Sequence, residues 1–388
     1  MKKWWTILFV TLLALGLVAC TSNKPEQKNE EITQNASNVF STKNVTRLDS
    51  KNLIDAAVSV SKTIWPATQD DNKPGTVLLV PADNWQYALA ATDLIHHPNN
   101  GPVLFYEDGD IPEETMKELK RLSPVGNDDG TEVMVIGDAD QKIIDLLKDY
   151  SIEQITGDDS AEFAKNVDLT YAEVAGDIPQ SVIIVSSEEE AKLYSLLAAN
   201  WIAHMPEPVL YVTKDSIPDA TVDALKLRNN RANIYILGPD TAVTSDIENK
   251  LQEFGSVTRI QGKDPVETSI AFAKFKDEKT KFGWGLTEPG YGLEFISTEN
   301  AEFAIAGAPF AHLGKHAPLI WLDKGELSAE THEFLAQLQP TFKDDPTVGP
   351  YNHAFILGSS DAISMKTQGM IDQMLEITSA SGGGHGGH

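Results

Sequence analysis

A Pro-led apolar run closed by an acidic turn occurs three times in this chain: GPVLFYEDGDIP at 101 to 112, EPVLYVTKDSIP at 207 to 218 and, more loosely, APLIWLDKGELS at 317 to 328. Pro102, Pro208 and Pro318 stand 106 and 110 residues apart. A period of that size constrains the fold before any composition figure does, because each copy is then one supersecondary unit that buries its apolar face against its neighbours. Three further landmarks recur in the same order. Each copy opens on a short extended piece: VTRLDSKN at 45 to 52, IEQITGDD at 152 to 159 and VTRIQGKD at 257 to 264. A β-rich run follows, TVLLVPA at 76 to 82, SVIIVSS at 181 to 187 and LEFISTE at 293 to 299. After the Pro-led run comes MVIGDAD at 134 to 140, YILGPDT at 235 to 241 and FILGSSD at 355 to 361.

The segments between these landmarks have helical periodicity. Leu53, Ala56, Ala57 and Val60 follow the i, i+3, i+4, i+7 spacing, and Ile143, Ile144, Leu146 and Leu147 are denser but of helical length. Pro112 and Pro218 stand where a helix would start, with acids in the first turn at the positive end of the dipole. Short apolar strands alternating with helices specify an α/β protein whose parallel sheets are covered on both faces. Each copy is therefore expected to be a doubly wound, Rossmann-like βα unit, in three tandem repeats. The third copy is longer, and its excess falls at FKDDPTVGPYN, residues 342 to 352, a Pro, Gly and Asp-rich loop.

The first twenty residues, MKKWWTILFVTLLALGLVAC, hold two lysines, an apolar run from Trp4 to Val18 and a small residue before the only cysteine. That run is short for a membrane span and has the layout of an export signal. Leu17-Val18-Ala19-Cys20 resembles the bacterial lipobox, which implies that Cys20 becomes acylated, and the lipid then takes the only thiol. From Thr21 to Asn44 scarcely any residue is apolar, so the segment reads as a tether. The chain divides into a lipoprotein signal at 1–19, the acylated Cys and tether at 20–44, repeats at 45–150, 151–255 and 256–377, and a Gly/His tail at 378–388.

With 57 Asp plus Glu against 31 Lys plus Arg, the formal charge is -26, and no polybasic stretch offsets it. That balance excludes non-specific nucleic-acid binding through phosphates. The sequence holds no GxSxG, HExxH, GxxxxGK[ST] or GxGxxG after a strand. Gly137, Gly238 and Gly358 follow strands singly, which suits a tight strand-to-loop turn rather than a phosphate cradle. A noncatalytic protein without a resident cofactor is the expectation.

The third copy carries RIQGKDPVETSIAFAKF at 259 to 275, then an Ala-rich segment with APLIWLD, then FILGSSDAIS at 355 to 364. That succession resembles the cell wall-binding repeat 2 family, with its Arg-Ile-x-Gly-x-Asp opening and its Ile-Leu-Gly-Gly strand end. The resemblance spans residues 45 to 377 and is strongest in the third copy. It implies three repeats forming one module that holds exported proteins in Gram-positive walls through anionic polymers. Departures are visible: Asp138, Pro239 and Ser359 replace the second Gly, and the opening Arg, present as Arg47 and Arg259, is Gln154 in the second copy.

Candidate ligand-binding residues are Arg47, Trp85, Arg259 and Lys263. A guanidinium at Arg47 or Arg259 could hold a phosphate or carboxylate by paired hydrogen bonds, or equally a salt bridge to an acid such as Asp49 or Asp264. Trp85 follows a strand end, at the edge where open α/β sheets bind ligands, whereas Trp201 and Trp321 suit core packing. His96, His97, His204, His312 and His316 fall near the ends of the second helices, where cations are favourable; a metal site there requires the copies to bring those ends together. His385 and His388 on the tail offer two metal ligands without a rigid second shell, and the acidic loop 126 to 132 lacks EF-hand spacing. The expected protein is a lipid-anchored envelope component on the extracytoplasmic face. Its partners are wall polymer, reached through a basic groove or a bridging divalent cation, or envelope proteins; a solute-binding lipoprotein is the further alternative.

Overall fold

Val77–Pro81, Ser181–Ser186 and Gly292–Ser297 are buried along their whole lengths, as parallel strands covered by helices on both faces must be. The computed structural model describes residues 39–313 and 316–381. The chain enters through Val39–Ser41 (β1), Val45–Leu48 (β2) and Leu53–Ile64 (α1). It continues through Val77–Pro81 (β3), Trp85–Ala91 (α2), Val103–Tyr106 (β4), Glu113–Leu122 (α3), Val133–Ile136 (β5) and Gln141–Leu146 (α4). Ile152–Ile155 (β6) and Ser160–Ala175 (α5) open the second unit. Ser181–Ser186 (β7), the short helices Lys192–Ser195 (α6) and Ala198–Ile202 (α7), Val209–Val212 (β8), Asp219–Lys226 (α8), Ala232–Leu237 (β9) and Ser245–Leu251 (α9) complete it. The third runs through Gly255–Ile260 (β10), Pro265–Lys274 (α10), Gly292–Ser297 (β11), Phe303–Gly307 (α11), Leu319–Leu322 (β12), Ala329–Gln337 (α12), Thr341–Phe342 (β13), His353–Leu357 (β14), Met365–Met374 (α13) and Thr378–Ser379 (β15).

Local signals explain the helix starts. Asn52, Asp159 and Asp264 each cap the helix that follows, their side chains accepting first-turn amides. Pro112 and Pro218 occupy the N-cap positions of α3 and α8. Gly137, Gly238 and Gly358 all have positive φ, the single-residue turn expected at each strand end.

Three sheets share one strand order: β4-β3-β5-β6, β8-β7-β9-β10 and β12-β11-β14-β2. Every pairing within those series is parallel. The outer strand beside β5 is β6, from the opening of the second copy, and the one beside β9 is β10, from the opening of the third. For the last sheet that place is filled by β2, from the start of the chain. Register is equivalent at all three seams: Val135↔Gln154 and Ile136↔Ile155, Ile236↔Arg259 and Leu237↔Ile260, Ile356↔Arg47 and Leu357↔Leu48. The array therefore closes on itself. Repeats drawn in sequence and sheets drawn by hydrogen bonds are offset by one strand.

The ends of the body differ from the expected tether and tail. Val39–Ser41 pairs antiparallel with Thr46–Leu48, so the tether expected to run to residue 44 ends sooner. Asn44 N donates to Asp372 Oδ1 at 2.7 Å, and Lys43 pairs with Glu376. Thr378 and Ser379, expected in the tail, pair with Thr341 and Phe342. In both places backbone groups find ladder partners that a composition argument does not anticipate. Cys20, the signal at 1–19, His385 and His388 lie outside the described residues. Among the described residues no helix is long and apolar enough to cross a membrane.

Each seam is clamped by one side chain of its incoming strand. Arg47 is wholly buried. Its Nε donates to Gln368 Oε1 at 2.7 Å, Nη1 to the carbonyls of Gly358 and Ser359 at 3.0 Å each, and Nη2 to that of Ile363 at 2.7 Å. Arg259 reaches the carbonyls of Gly238 and Val243 at 2.8 Å each and Glu248 Oε2 at 2.6 Å. Gln154 Nε2 donates to the Gly137 carbonyl at 2.8 Å. The carbonyl of the positive-φ glycine is the common acceptor. Truncating each clamp to Ala should therefore destabilise in the order Arg47, Arg259, Gln154. Arg47→Ala should cost about 3 kcal/mol and Gln154→Ala about 1 kcal/mol, measured as shifts in the urea midpoint.

Candidate functional site

The opening motif of the third copy builds one wall of a cleft. β10 ends at Ile260, Gln261 and Gly262 turn the chain, and Asp264 caps α10, accepting from the Glu267 amide at 2.8 Å. A Cβ on Gly262 would lie 2.4 Å from the backbone carbon of Glu267, so the turn can back onto the helix only with glycine there. The Gly262 amide donates to Thr268 Oγ1 at 2.9 Å, which fixes the turn against α10. Opposite stands α12. The cleft between them has a volume of about 440 Å³, with Ile270, Ala271 and Phe334 as its apolar floor. Lys263, Lys274, Glu267, Glu330 and Glu333 supply charge of both signs around it.

The same pair of helices is latched in the other two units. Ser61 Oγ on α1 donates to Glu118 Oε1 on α3 at 2.6 Å, and Arg121 joins that carboxylate to the carbonyls of Trp65 and Pro66. Asp168 on α5 takes both terminal nitrogens of Arg228 at 2.9 Å, a fully buried bidentate pair. Ser61 and Asp168 stand at the same offset from their caps, Asn52 and Asp159; at that offset from Asp264 stands Ala273, which offers no polar group. Phe334 of α12 follows its N-cap Ser328 at the offset at which Glu118 follows Pro112, and it is apolar too. What joins α10 to α12 instead is a solvent-exposed hydrogen bond from Lys274 Nζ to Gln337 Oε1 at 3.0 Å.

A second crevice of about 290 Å³ lies at the carboxyl ends of β3 and β5. Strand order reverses between those two strands, the place where open α/β sheets bind ligands. Asp83, Asp138 and Asp140 face it beside Tyr87 and Tyr106, whose hydroxyls donate to the carbonyls of Gly157 and Ile136 at 2.7 Å each. Burial raises both phenols, Tyr106 more strongly. This mouth is acidic and offers no basic side chain among its lining residues.

Of the residues expected to bind ligand, the structure leaves Lys263 open to one. Its side chain is 83% exposed and makes a 2.8 Å pair with Glu267. Arg47 and Arg259 are corrected to structural clamps. The neutral-acceptor cage around the wholly buried Arg47 engages four of its five N–H donors, and Arg259 is held by Glu248 rather than by Asp264. Trp85 is buried rather than presented to a glycan: its Nε1 donates to Glu189 Oε2 at 2.8 Å and its ring meets Tyr211 edge to face. Trp201 and Trp321 are buried too. In the acidic loop at 126 to 132, Asn127 Oδ1 accepts the amides of Asp129 and Thr131, closing the loop on itself. Among the described residues no group of three or more His, Cys, Asp or Glu side chains is disposed to hold a metal ion. The latches Glu118, Asp168 and Arg228 and the cleft floor were not anticipated; a polar residue nine positions after a helix cap was the available signal.

Residues 259–368, which begin at Arg259 and include the cleft, match the family model described as Cell wall binding domain 2 (CWB2). The chain is 23% identical over 205 residues to the amidase enhancer of Bacillus subtilis (strain 168), an alignment covering 52% of this chain and 26% of that protein. Among solved structures it is similar to Cwp6 from Clostridium difficile, with a TM-score of 0.68 and 20% identity over 86% of this chain and 47% of the other. It is also similar to Cwp8 from the same organism, with a TM-score of 0.65 and 17% identity over 86% of this chain and 52% of the other. The chain thus spans about a quarter of the curated relative and about half of each solved one.

The latched and unlatched helix pairs should respond differently to substitution. Asp168→Ala strands a buried guanidinium and should cost about 3 to 5 kcal/mol in urea unfolding. Lys263→Ala, which removes an exposed pair, should change stability by less than about 1 kcal/mol.

Proposed function

We propose that the protein, whose residues 259–368 match the family model described as Cell wall binding domain 2, is a noncatalytic cell-envelope component that associates with wall polymer through its three-unit body. The observation that carries this reading is the α10–α12 cleft, lined by Gln261, Gly262 and Lys263 of the opening motif and left open where the other units are latched. A polymer chain laid there meets an apolar floor for its sugar faces and ammonium groups at Lys263 and Lys274 for its anionic groups. A formal charge of -26 repels a polyanion at long range. Attraction must therefore be local, through those two lysines or through divalent cations held between polymer and the carboxylates of Glu330 and Glu333. The body lies on the extracytoplasmic side, held to the membrane through a lipid on Cys20, which resembles a lipobox cysteine; two acyl chains anchor stably where one does not.

A second reading is favoured by the likeness to a protein named as an amidase enhancer. In it the body docks an envelope protein rather than polymer. The buried clamps make the repeat array a rigid scaffold in either case. The two readings separate on isolated cell walls. Residues 21–388 mixed with purified walls should be retained in low salt, and retention should rise with magnesium or calcium if cations bridge. Lys263→Glu combined with Lys274→Glu should reduce retention about tenfold or more, a loss that millimolar divalent cation partly restores. Full retention of the double variant would remove the cleft from the mechanism, and no retention of the parent chain would favour the protein partner. Cys20→Ser should release the full chain from membranes, measured by fractionation.

A further inference from the structure

The second helical segments of the three units meet, and each brings imidazoles. His96 and His97 follow α2, His204 follows α7, and His312 and His316 follow α11. His96 stacks on His312 with ring centroids 3.6 Å apart, and His204 Nε2 lies 3.0 Å from His316 Nδ1. The His204 and His312 rings are 6.0 Å apart. The Nδ1 atoms of His204 and His312 are buried without a hydrogen-bond partner. All three units thus contribute to one imidazole cluster, and stacked rings at such spacing cannot both carry charge cheaply.

The same segments bury carboxyls. Asp93 is 1% exposed, and neither of its oxygens has a hydrogen-bond partner. Glu207 accepts from Trp201 Nε1 at 2.9 Å. Glu294 sits on the central strand β11 where the first two sheets have Leu78 and Ile183. It accepts from Asn200 Nδ2 of the second unit at 2.7 Å, while its other oxygen has no partner and faces Gly307, where a Cβ would lie 1.8 Å away. Facing these carboxyls are Tyr171 and the Asp168–Arg228 pair from α5 and the end of α8, with Tyr235 and Lys276 near Glu207. Arg228 is already engaged by Asp168, and Lys276 Nζ donates to the Gly283 carbonyl at 2.8 Å. Neither cation neutralises the cluster.

We propose that this junction is a built-in pH gauge: it holds the three units together while its imidazoles and its carboxyls are all uncharged, and loosens them when acid charges the first set or alkali ionises the second. Burial and the neighbouring imidazoles lower His204 and His312 to about 4. Burial raises Glu207 to about 7 and Glu294 to about 8, and lifts Asp93 well above the carboxylate range. In the unfolded chain a histidine takes up its proton near 6.5 and a carboxyl loses its proton near 4. The lowered imidazoles therefore contribute stability that is present above about pH 6.5 and lost as pH falls toward 4. The raised carboxyls contribute stability that is present below about pH 4.5 and lost as pH rises through 7 and 8.

Two substitutions separate the limbs. Glu294→Gln keeps an acceptor for Asn200 but cannot ionise, and His312→Gln keeps a polar group but cannot be protonated. Urea unfolding of the full chain at pH values from 4.5 to 8.5 should show Glu294→Gln gaining on the parent by about tenfold in the unfolding constant per pH unit between about 5 and 8. His312→Gln should gain by about tenfold per unit between about 6 and 4.5, and each variant should run parallel to the parent on the other limb. Hydrogen exchange, normalised for intrinsic rate, should show the gain concentrated in residues 196–205 and 303–311. Should a variant fail to fold, imidazole NMR of the parent decides: His204 and His312 titrating well below 6.5 supports the gauge, and titration near 6.5 overturns it. Stability curves parallel to the parent at every pH in both variants would overturn it equally.

Discussion

An outer strand of a parallel sheet presents a row of unpaired backbone N–H and C=O groups, and the body of this protein depends on how three such rows are filled. β5, β9 and β14 each receive the opening strand of the next copy, and for β14 the next copy is the first. A four-stranded sheet is therefore never the product of one continuous repeat. The clamps sit at those seams because that is where a positive-φ glycine turns the chain and leaves its carbonyl pointing toward the incoming strand. Closure also draws the two ends of the body together. Asn44 and Lys43 touch Asp372 and Glu376 because β2 has to lie beside β14.

Much of this was legible in the chain. Apolar runs bounded by Pro and Gly gave the strands, Pro112 and Pro218 followed by acids gave two helix starts, and single glycines after strands gave the turns, since each of these signals is local. The partner of the opening strand was not local. VTRL, IEQI and VTRI are too short for their alternation to say which side they bury, and pairing forward or back satisfies the same pattern. The function of Arg47 and Arg259 was hidden for the same reason. A guanidinium serves a ligand and a carbonyl cage by the same donors, and only the position of Gly358 or Gly238 decides between them. Trp85 looked exposed at a strand end because its cover, Tyr211 and Glu189, comes from the next unit. The open cleft was present in the sequence as Ala273 and Phe334, but its meaning depends on comparing helix pairs that only the fold sets side by side.

Net charge and local charge pull in different directions here. At physiological ionic strength a surface charge is screened beyond about 8 Å, so a ligand seated at α10 and α12 responds mainly to the groups lining that cleft. Those groups are mixed, with Lys263 already partnered by Glu267 and Lys274 by Gln337. An arriving anion competes with neutral or weak exposed partners, which costs little. The crevice at β3 and β5 has no such cations, and its three aspartates would oppose the same anion. The chemistry thus separates the two mouths, and the anion-compatible one lies in the segment that matches the wall-binding family model.

Three units of one topology raise the question of what prevents them from docking in the wrong cyclic order. Backbone geometry cannot discriminate, since all seams share one register. Buried polar groups can. Glu294 replaces the Leu78 and Ile183 of the other sheets, and its satisfied oxygen depends on Asn200. At the place of Asn200, counted back from His96, His204 and His312, the third unit carries Ala308, with no group to offer, and the first carries Thr92, whose hydroxyl already donates to the Leu89 carbonyl at 2.8 Å. Either alternative leaves the buried Glu294 carboxyl without its amide donor, at a cost of several kcal/mol. The groups that make the junction sensitive to pH are for that reason also the groups that make its arrangement unique. An apolar side chain at position 294, like those in the first two sheets, would remove that residue's share of the alkaline sensitivity and the discrimination together.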